Sequence, residues 1–207
     1  MHKRILALPA AALTALVVAG CGSDDTPVAA PASSAAAPSA SGSAAASTEH
    51  NDADVMFAQM MIPHHRQAID MAKMAATRAA DPKVKELASK IQTAQDPEIQ
   101  TMSTWLMAWN APMPTGMPGM DGMDDGSMSS MPGAMSPADM KKLESLSGAA
   151  FDKEFLTSMT AHHQGAIQMA QEEQRNGKNP DAVALAKKIV TDQTAEIAEI
   201  RTLLGAS

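Results

Sequence analysis

The chain repeats itself. Residues 54–106 align without a gap onto residues 152–204, 98 positions later, with 20 of 53 positions identical. A unit kept twice at a fixed offset reads as one supersecondary element that completes its core against its own copy. The densest match pairs Met61-Ile62-Pro63-His64-His65-Arg66-Gln67-Ala68-Ile69-Asp70-Met71-Ala72 with Met159-Thr160-Ala161-His162-His163-Gln164-Gly165-Ala166-Ile167-Gln168-Met169-Ala170. Four of the six histidines fall in these two stretches, each His pair flanked by two methionines. A duplicated core with imidazoles and thioethers in both copies points to a symmetric soft-metal site.

Each copy reads as a helical hairpin. On a helical wheel Phe57, Met61, Ala68, Met71 and Ala75 lie within about 60° of His64, which places His64 inward and His65 on the flank. Phe155, Met159, His162, Ala166 and Met169 repeat the pattern. Asn51 or Asp52 caps the first helix, and Asp81-Pro82 and residues 177–180 end the first helix of each hairpin. The second helices span 84–109 and 182–204. Leu87, Ala88, Ile91, Gln95, Glu98, Met102 and Trp105 share one face, matched by Leu185, Ala186, Ile189, Gln193, Glu196, Ile200 and Leu203. Two polar side chains on each apolar stripe need partners, and His64 and His162 are the expected ones. The architecture that follows is all-α: an antiparallel four-helix bundle built from two repeated hairpins. Pro63 and Pro97 should kink or break their helices. Ser136 followed by Pro137 opens a short helix to about residue 147.

The ends and the connection are different material. Lys3 and Arg4, an apolar run over residues 5–19 and small residues before Cys21 predict a bacterial lipoprotein signal over residues 1–20, with lipid on Cys21. Residues 21–50 read as that anchor and a disordered Ala/Ser/Pro-rich tether. The first hairpin then occupies 51–109, a Met/Pro/Gly-rich connecting loop 110–135, and the short helix with the second hairpin 136–207. Loss of Lys3 and Arg4 with the signal leaves 14 basic against 23 acidic side chains, a charge of −9. That balance argues against nucleic acid and favours cations. With Cys21, the single cysteine, used for lipid, no thiolate is left for metal.

Methionine normally fills core gaps. The connecting loop carries Met113, Met117, Met120, Met123, Met128, Met131 and Met135 among Pro, Gly and Asp, with no apolar stripe to bury them. Met117, Met120 and Met123 recur every third residue, a plausible soft chelator for Cu(I) or Ag(I). The competing reading is a low-complexity linker whose thioethers absorb oxidants. In the helices, Met-x-x-His stands where ferritin-like di-iron bundles carry Glu-x-x-His, with Glu98 and Glu196 on the other two helices. A thioether in place of a carboxylate favours copper over iron. Glu98 and Glu196, with Gln95 and Gln193, either orient the imidazoles from a second layer or form a purely structural polar network.

The motif Met-Ile-x-His-His-x-x-Ala-Ile-x-Met-Ala, followed by Ala-x-x-Ile-x-x-x-Gln-x-x-Glu-Ile, resembles the bacterial family called domain of unknown function 305, over residues 54–106 and 152–204. The resemblance implies a ferritin-like four-helix bundle, secreted or lipid-anchored, with periplasmic copper binding and resistance in some members. It carries over His64, His65, Met61, Met71, His162, His163, Met159 and Met169 as candidate ligands. The expected function is a lipid-anchored, extracytoplasmic, non-enzymatic copper protein that buffers Cu(I) or passes it to another copper-handling protein. The alternatives are a ferritin-like di-metal redox enzyme and a metal-free envelope module. Thioether binding should persist in acid, and binding at the His pairs should weaken below about pH 6.

Overall fold

The structure is a computed structural model that describes residues 47–114 and 131–205. Asn51 starts the first helix with a capping box: its side chain accepts from the Ala53 and Asp54 N–H groups, and Asp54 accepts from the Asn51 N–H. Helix α1 (Asp52–Arg78) follows, then a short turn and α2 (Pro82–Ala108), which Asp81 caps ahead of Pro82. Beyond the connection, Ser136 caps α3 (Pro137–Ser145) as the sequence predicts. Helices α4 (Gly148–Asn176) and α5 (Pro180–Gly205) form the second hairpin. Among the described residues all regular structure is helical. Helix α1 packs mainly on α2 and α4 mainly on α5, and the α1–α4 contact joins the hairpins into a bundle. Of the kink or break expected at Pro63 and Pro97, the break does not occur: α1 and α2 run on through them. A 27-residue helix packed along its length tolerates one missing donor.

The core has two apolar halves, and every long helix passes from one to the other across a polar segment. Met71, Ala75, Leu87, Ile91, Phe155, Met159, Ile200 and Leu203 belong to one half. Phe57, Met61, Met102, Trp105, Ala166, Met169, Ala186 and Ile189 belong to the other. Between them in each helix lie His64 and His65, Gln95 and Glu98, His162 and His163, Gln193 and Glu196. This polar belt costs free energy that burying leucines there would not, so it requires a compensating purpose.

Reciprocal stitches lock the hairpins together. Asp54 of the first repeat accepts from the N–H groups of Lys178 and Asn179 at 3.0 and 2.9 Å, in the turn of the second hairpin. Its repeat mate Asp152 accepts from Ala80 and Asp81 at 3.0 and 2.9 Å, in the turn of the first. Each hairpin's turn is thus held by the other hairpin's leading helix. The stitches differ in one neighbour. Beside Asp54 lies the buried Glu173, whose pKa burial and then Asp54 push up to about 8, so it is protonated at neutral pH. The position matching Glu173 in the first repeat is Ala75.

Candidate metal site

Four imidazoles meet where α1 crosses α4. His64, His65, His162 and His163 are each 0% exposed. The rings of His64 and His162 face each other with centroids 3.7 Å apart, and His163 lies 6.5 Å from His162. His64 Nε2 is 3.1 Å from the Pro132 carbonyl. A carbonyl only accepts, so Nε2 carries the proton and Nδ1 presents its lone pair. By the same argument His65 Nε2 donates to Glu98 Oε2 at 2.8 Å. His163 Nε2 lies 2.6 Å from Glu196 Oε2, an ion-pair contact off the line of a hydrogen bond. All four Nδ1 atoms, and both ring nitrogens of His162, are buried without a hydrogen-bond partner. Orphaned buried nitrogens of this kind are what a ligand set shows before it is filled.

The pairing of carboxylates with imidazoles corrects the sequence reading. Glu98 and Glu196 serve His65 and His163, the flanking members, and not His64 and His162. The inward rings meet across the bundle, tilted by 36°, whereas the flanking rings turn toward the second helix of their own hairpin. Lys188 Nζ also reaches Glu98 at 2.9 Å from α5. Burial raises the pKa of Glu98, but His65 and Lys188 outweigh it and the net shift is downward. The site is therefore only approximately symmetric, because the repeat mate Lys90 pairs with Glu86 and Glu199 instead.

Burial lowers the pKa of His64 to about 3, reinforced by the charge of His65. Burial, with the neighbouring imidazoles, likewise takes His162 well below the ordinary histidine value. Burial thus keeps these two rings neutral below the pH of about 6 at which binding by the His pairs is expected to weaken.

The methionines divide by core half. Met61 of the first repeat shares a half with Met169 of the second, and Met71 shares the other with Met159. Each core half adjoining the polar belt therefore holds one of these methionines from each repeat. No group of three or more His, Cys, Asp or Glu side chains among the described residues is arranged to hold a metal ion. A cation bound to these imidazoles would have to complete its shell with sulfur, and the donor chemistry fits a soft ion. Met117, Met120, Met123 and Cys21 lie outside the described residues. The ends of the connecting loop are described, and they correct the view that its methionines have nothing to bury them. Met131 and Met135 are 8% and 7% exposed, and Met113 packs against the core half of Met61.

Sequence reasoning missed what holds that loop end. Gln67 brackets Met135, donating to its carbonyl at 2.9 Å and accepting from its N–H at 2.8 Å. At the matching position of the second repeat stands Gly165, where a Cβ would lie 1.8 Å from the Pro132 carbonyl oxygen. Gly133 adopts φ +73°, a conformation glycine takes without strain. The Gln67/Gly165 mismatch, inside the best-matched stretch of the repeat, was the available signal.

Fold and belt together define a duplicated-hairpin helical bundle with a buried imidazole–thioether layer. The chain belongs to the family described as domain of unknown function (DUF305), which it matches over residues 54–204. A candidate secreted protein of that family from Streptomyces coelicolor is similar in structure, with a TM-score of 0.65, 32% identity and coverage of 74% of this chain and 91% of that one. CopM in its Cu(II)-bound form gives a TM-score of 0.61, 36% identity and coverage of 74% and 96%; its Cu(I)-bound form gives 0.59, 33%, 74% and 96%. An uncharacterized protein, L153, of Acanthamoeba polyphaga mimivirus is 42% identical over 53 residues, 26% of this chain and 35% of that protein. The chain thus spans about a third of the curated relative it matches.

Proposed function

We propose that this protein binds copper outside the cytoplasm, held to the envelope by lipid on Cys21, and buffers Cu(I) or passes it to another copper-handling protein. The observation that carries the reading is the close His64–His162 pair with its unpartnered buried nitrogens, set between core halves that each contain two of the motif methionines. The bundle's ligands are His64, His65, His162, His163, Met61, Met71, Met159 and Met169. Met117, Met120 and Met123 supply a second, thioether-only class. Glu98 and Glu196 orient the flanking imidazoles, and Gln95 and Gln193 fill the same belt. Similarity to copper-bound CopM supports the choice of metal. No helix among the described residues is long and apolar enough to cross a membrane.

Binding, not catalysis, is the function. The test loads the full chain with Cu(I), and separately with Fe(II), then measures retained metal and the X-ray absorption of the copper. Copper with mixed nitrogen and sulfur scattering is expected. The nitrogen shell should be lost when His64, His65, His162 and His163 are all changed to Ala, and part of the sulfur shell in Met117→Leu/Met120→Leu/Met123→Leu. Retention of iron in preference to copper, or a nitrogen shell untouched by the histidine changes, would overturn the reading.

A further inference from the structure

Helix α1 carries two methionines, Met56 and Met60, that the ligand set above does not use. Met56, Met60 and His64 follow one another at i, i+4 and i+8, so their side chains lie along one stripe that drifts about 40° per step. Exposure falls along the row. Met56 is 59% exposed, an outlier for a large apolar side chain here, Met60 is half-buried, and His64 is fully buried. Met56 and Met60 line a pocket of about 430 Å³ between α1 and α4, shared with Met169, Phe57, Glu173 and Pro132. Pro132 is the residue whose carbonyl holds His64 Nε2. One lining residue of the pocket, Pro132, is therefore also a hydrogen-bond partner of His64.

The repeat shows that this arrangement is not a by-product of the fold. The residues matching Met56 and Met60 in the second copy are Glu154 and Ser158, so α4 leads to His162 along hard oxygen donors. Met56 and Met60 thus have no thioether counterpart at the matching positions of α4. A methionine exposed at the lip of a pocket gains little by burial, yet keeps a sulfur able to take a soft cation from solvent without releasing a proton.

We propose that Met56, Met60 and Met169 form a surface port for a soft monovalent cation, Cu(I) or Ag(I), through which the buried His64–His162 site is loaded. The port rests on the copper reading above. It adds the route: the cation exchanges thioether for thioether, then thioether for imidazole, with no change of oxidation state and no proton released from sulfur. Loading is consequently one-sided although the bundle is built from a repeat.

The test uses Ag(I), which is redox-inert, and the full chain carrying 13C at the methionine ε-methyl groups, followed by NMR of those methyls and of the histidine rings. At substoichiometric Ag(I) the Met56, Met60 and Met169 methyls should shift. In Met56→Leu/Met60→Leu, which keeps apolar volume, the His64 ring response should slow at least about tenfold with the melting temperature unchanged. If those three methyls stay still while other methionines and the histidine rings respond, or if the double variant loads at the parental rate, the port is overturned and copper binding stands. If neither methionine nor histidine signals respond and no metal is retained, the copper reading falls and the port with it.

Discussion

Both ring nitrogens of His162 are buried without a hydrogen-bond partner, and His64 leaves one in the same condition. A protein selected only for stability would replace such a side chain, because an unsatisfied buried polar atom costs roughly 1–3 kcal/mol. His162→Leu should therefore leave the metal-free fold as stable as the parent or more so, by up to about 2 kcal/mol, while lowering copper retention. Urea unfolding of metal-free protein checks the first half, and a destabilised variant would make the ring a structural member of the belt. The same burial sets a pH dependence. His64 and His162 stay neutral in the fold, whereas in the unfolded chain they take up protons below the ordinary value of 6.5. The unfolded state thus gains protons as pH falls, and stability is lost from about pH 6.5 downward, for His64 until its folded value of about 3, by at most about 1.4 kcal/mol per pH unit for each ring. His162→Leu removes one of the two contributions, so its unfolding midpoint should fall less between pH 7 and pH 5 than the parent's.

At the scale of the element, the connecting segment reaches the belt through one close approach. Gly165→Ala would place a methyl where the Pro132 carbonyl oxygen lies, 1.8 Å from it, and the nearest atoms are backbone. Relief requires the loop end to lift off α4, which withdraws the carbonyl from His64 Nε2 and strains the Gln67–Met135 bracket. We expect a loss of about 1–3 kcal/mol and faster proteolysis near residue 132. Unchanged thermal unfolding would show that the segment relocates without cost. The neighbouring helices were far easier to read. The Asn51 cap, the Ser136–Pro137 start and the inward set of His64 and His162 follow from i, i+3 and i+4 spacing and capping chemistry, which act within one helix. The choice of Glu98 for His65 was not legible, because it depends on how α1 and α2 rotate against each other. The Asp54 and Asp152 stitches bond backbone N–H groups in another hairpin, and a backbone donor leaves no mark in the residue types that carry it. That α1 continues through Pro63 depends on packing along the whole helix, which one residue type does not show.

At the scale of the whole molecule, the two hairpins depend on each other. Asp54 holds the turn at Lys178 and Asn179, Asp152 the turn at Ala80 and Asp81, and both core halves draw side chains from α1 and α4. Residues 47–114 alone should be largely unfolded by circular dichroism, and mixing with residues 131–205 should restore helicity and a cooperative melt. A first hairpin that melts cooperatively alone would contradict this interdependence. The facing His64 and His162 carry a consequence for descent. They are the same position of the repeat, meeting across an approximate twofold axis, as the pairing of Met61 with Met169 and of Met71 with Met159 also requires. A single ancestral hairpin meeting a second copy of itself across such a twofold would have assembled the same imidazole contact as a homodimer. Fusing the copies replaced an encounter that depends on protein concentration by one fixed at an effective concentration on the order of millimolar. It also freed the halves from having to be identical. Gln67 and Gly165, Met56 and Glu154, and Ala75 and Glu173 are where that freedom has been used.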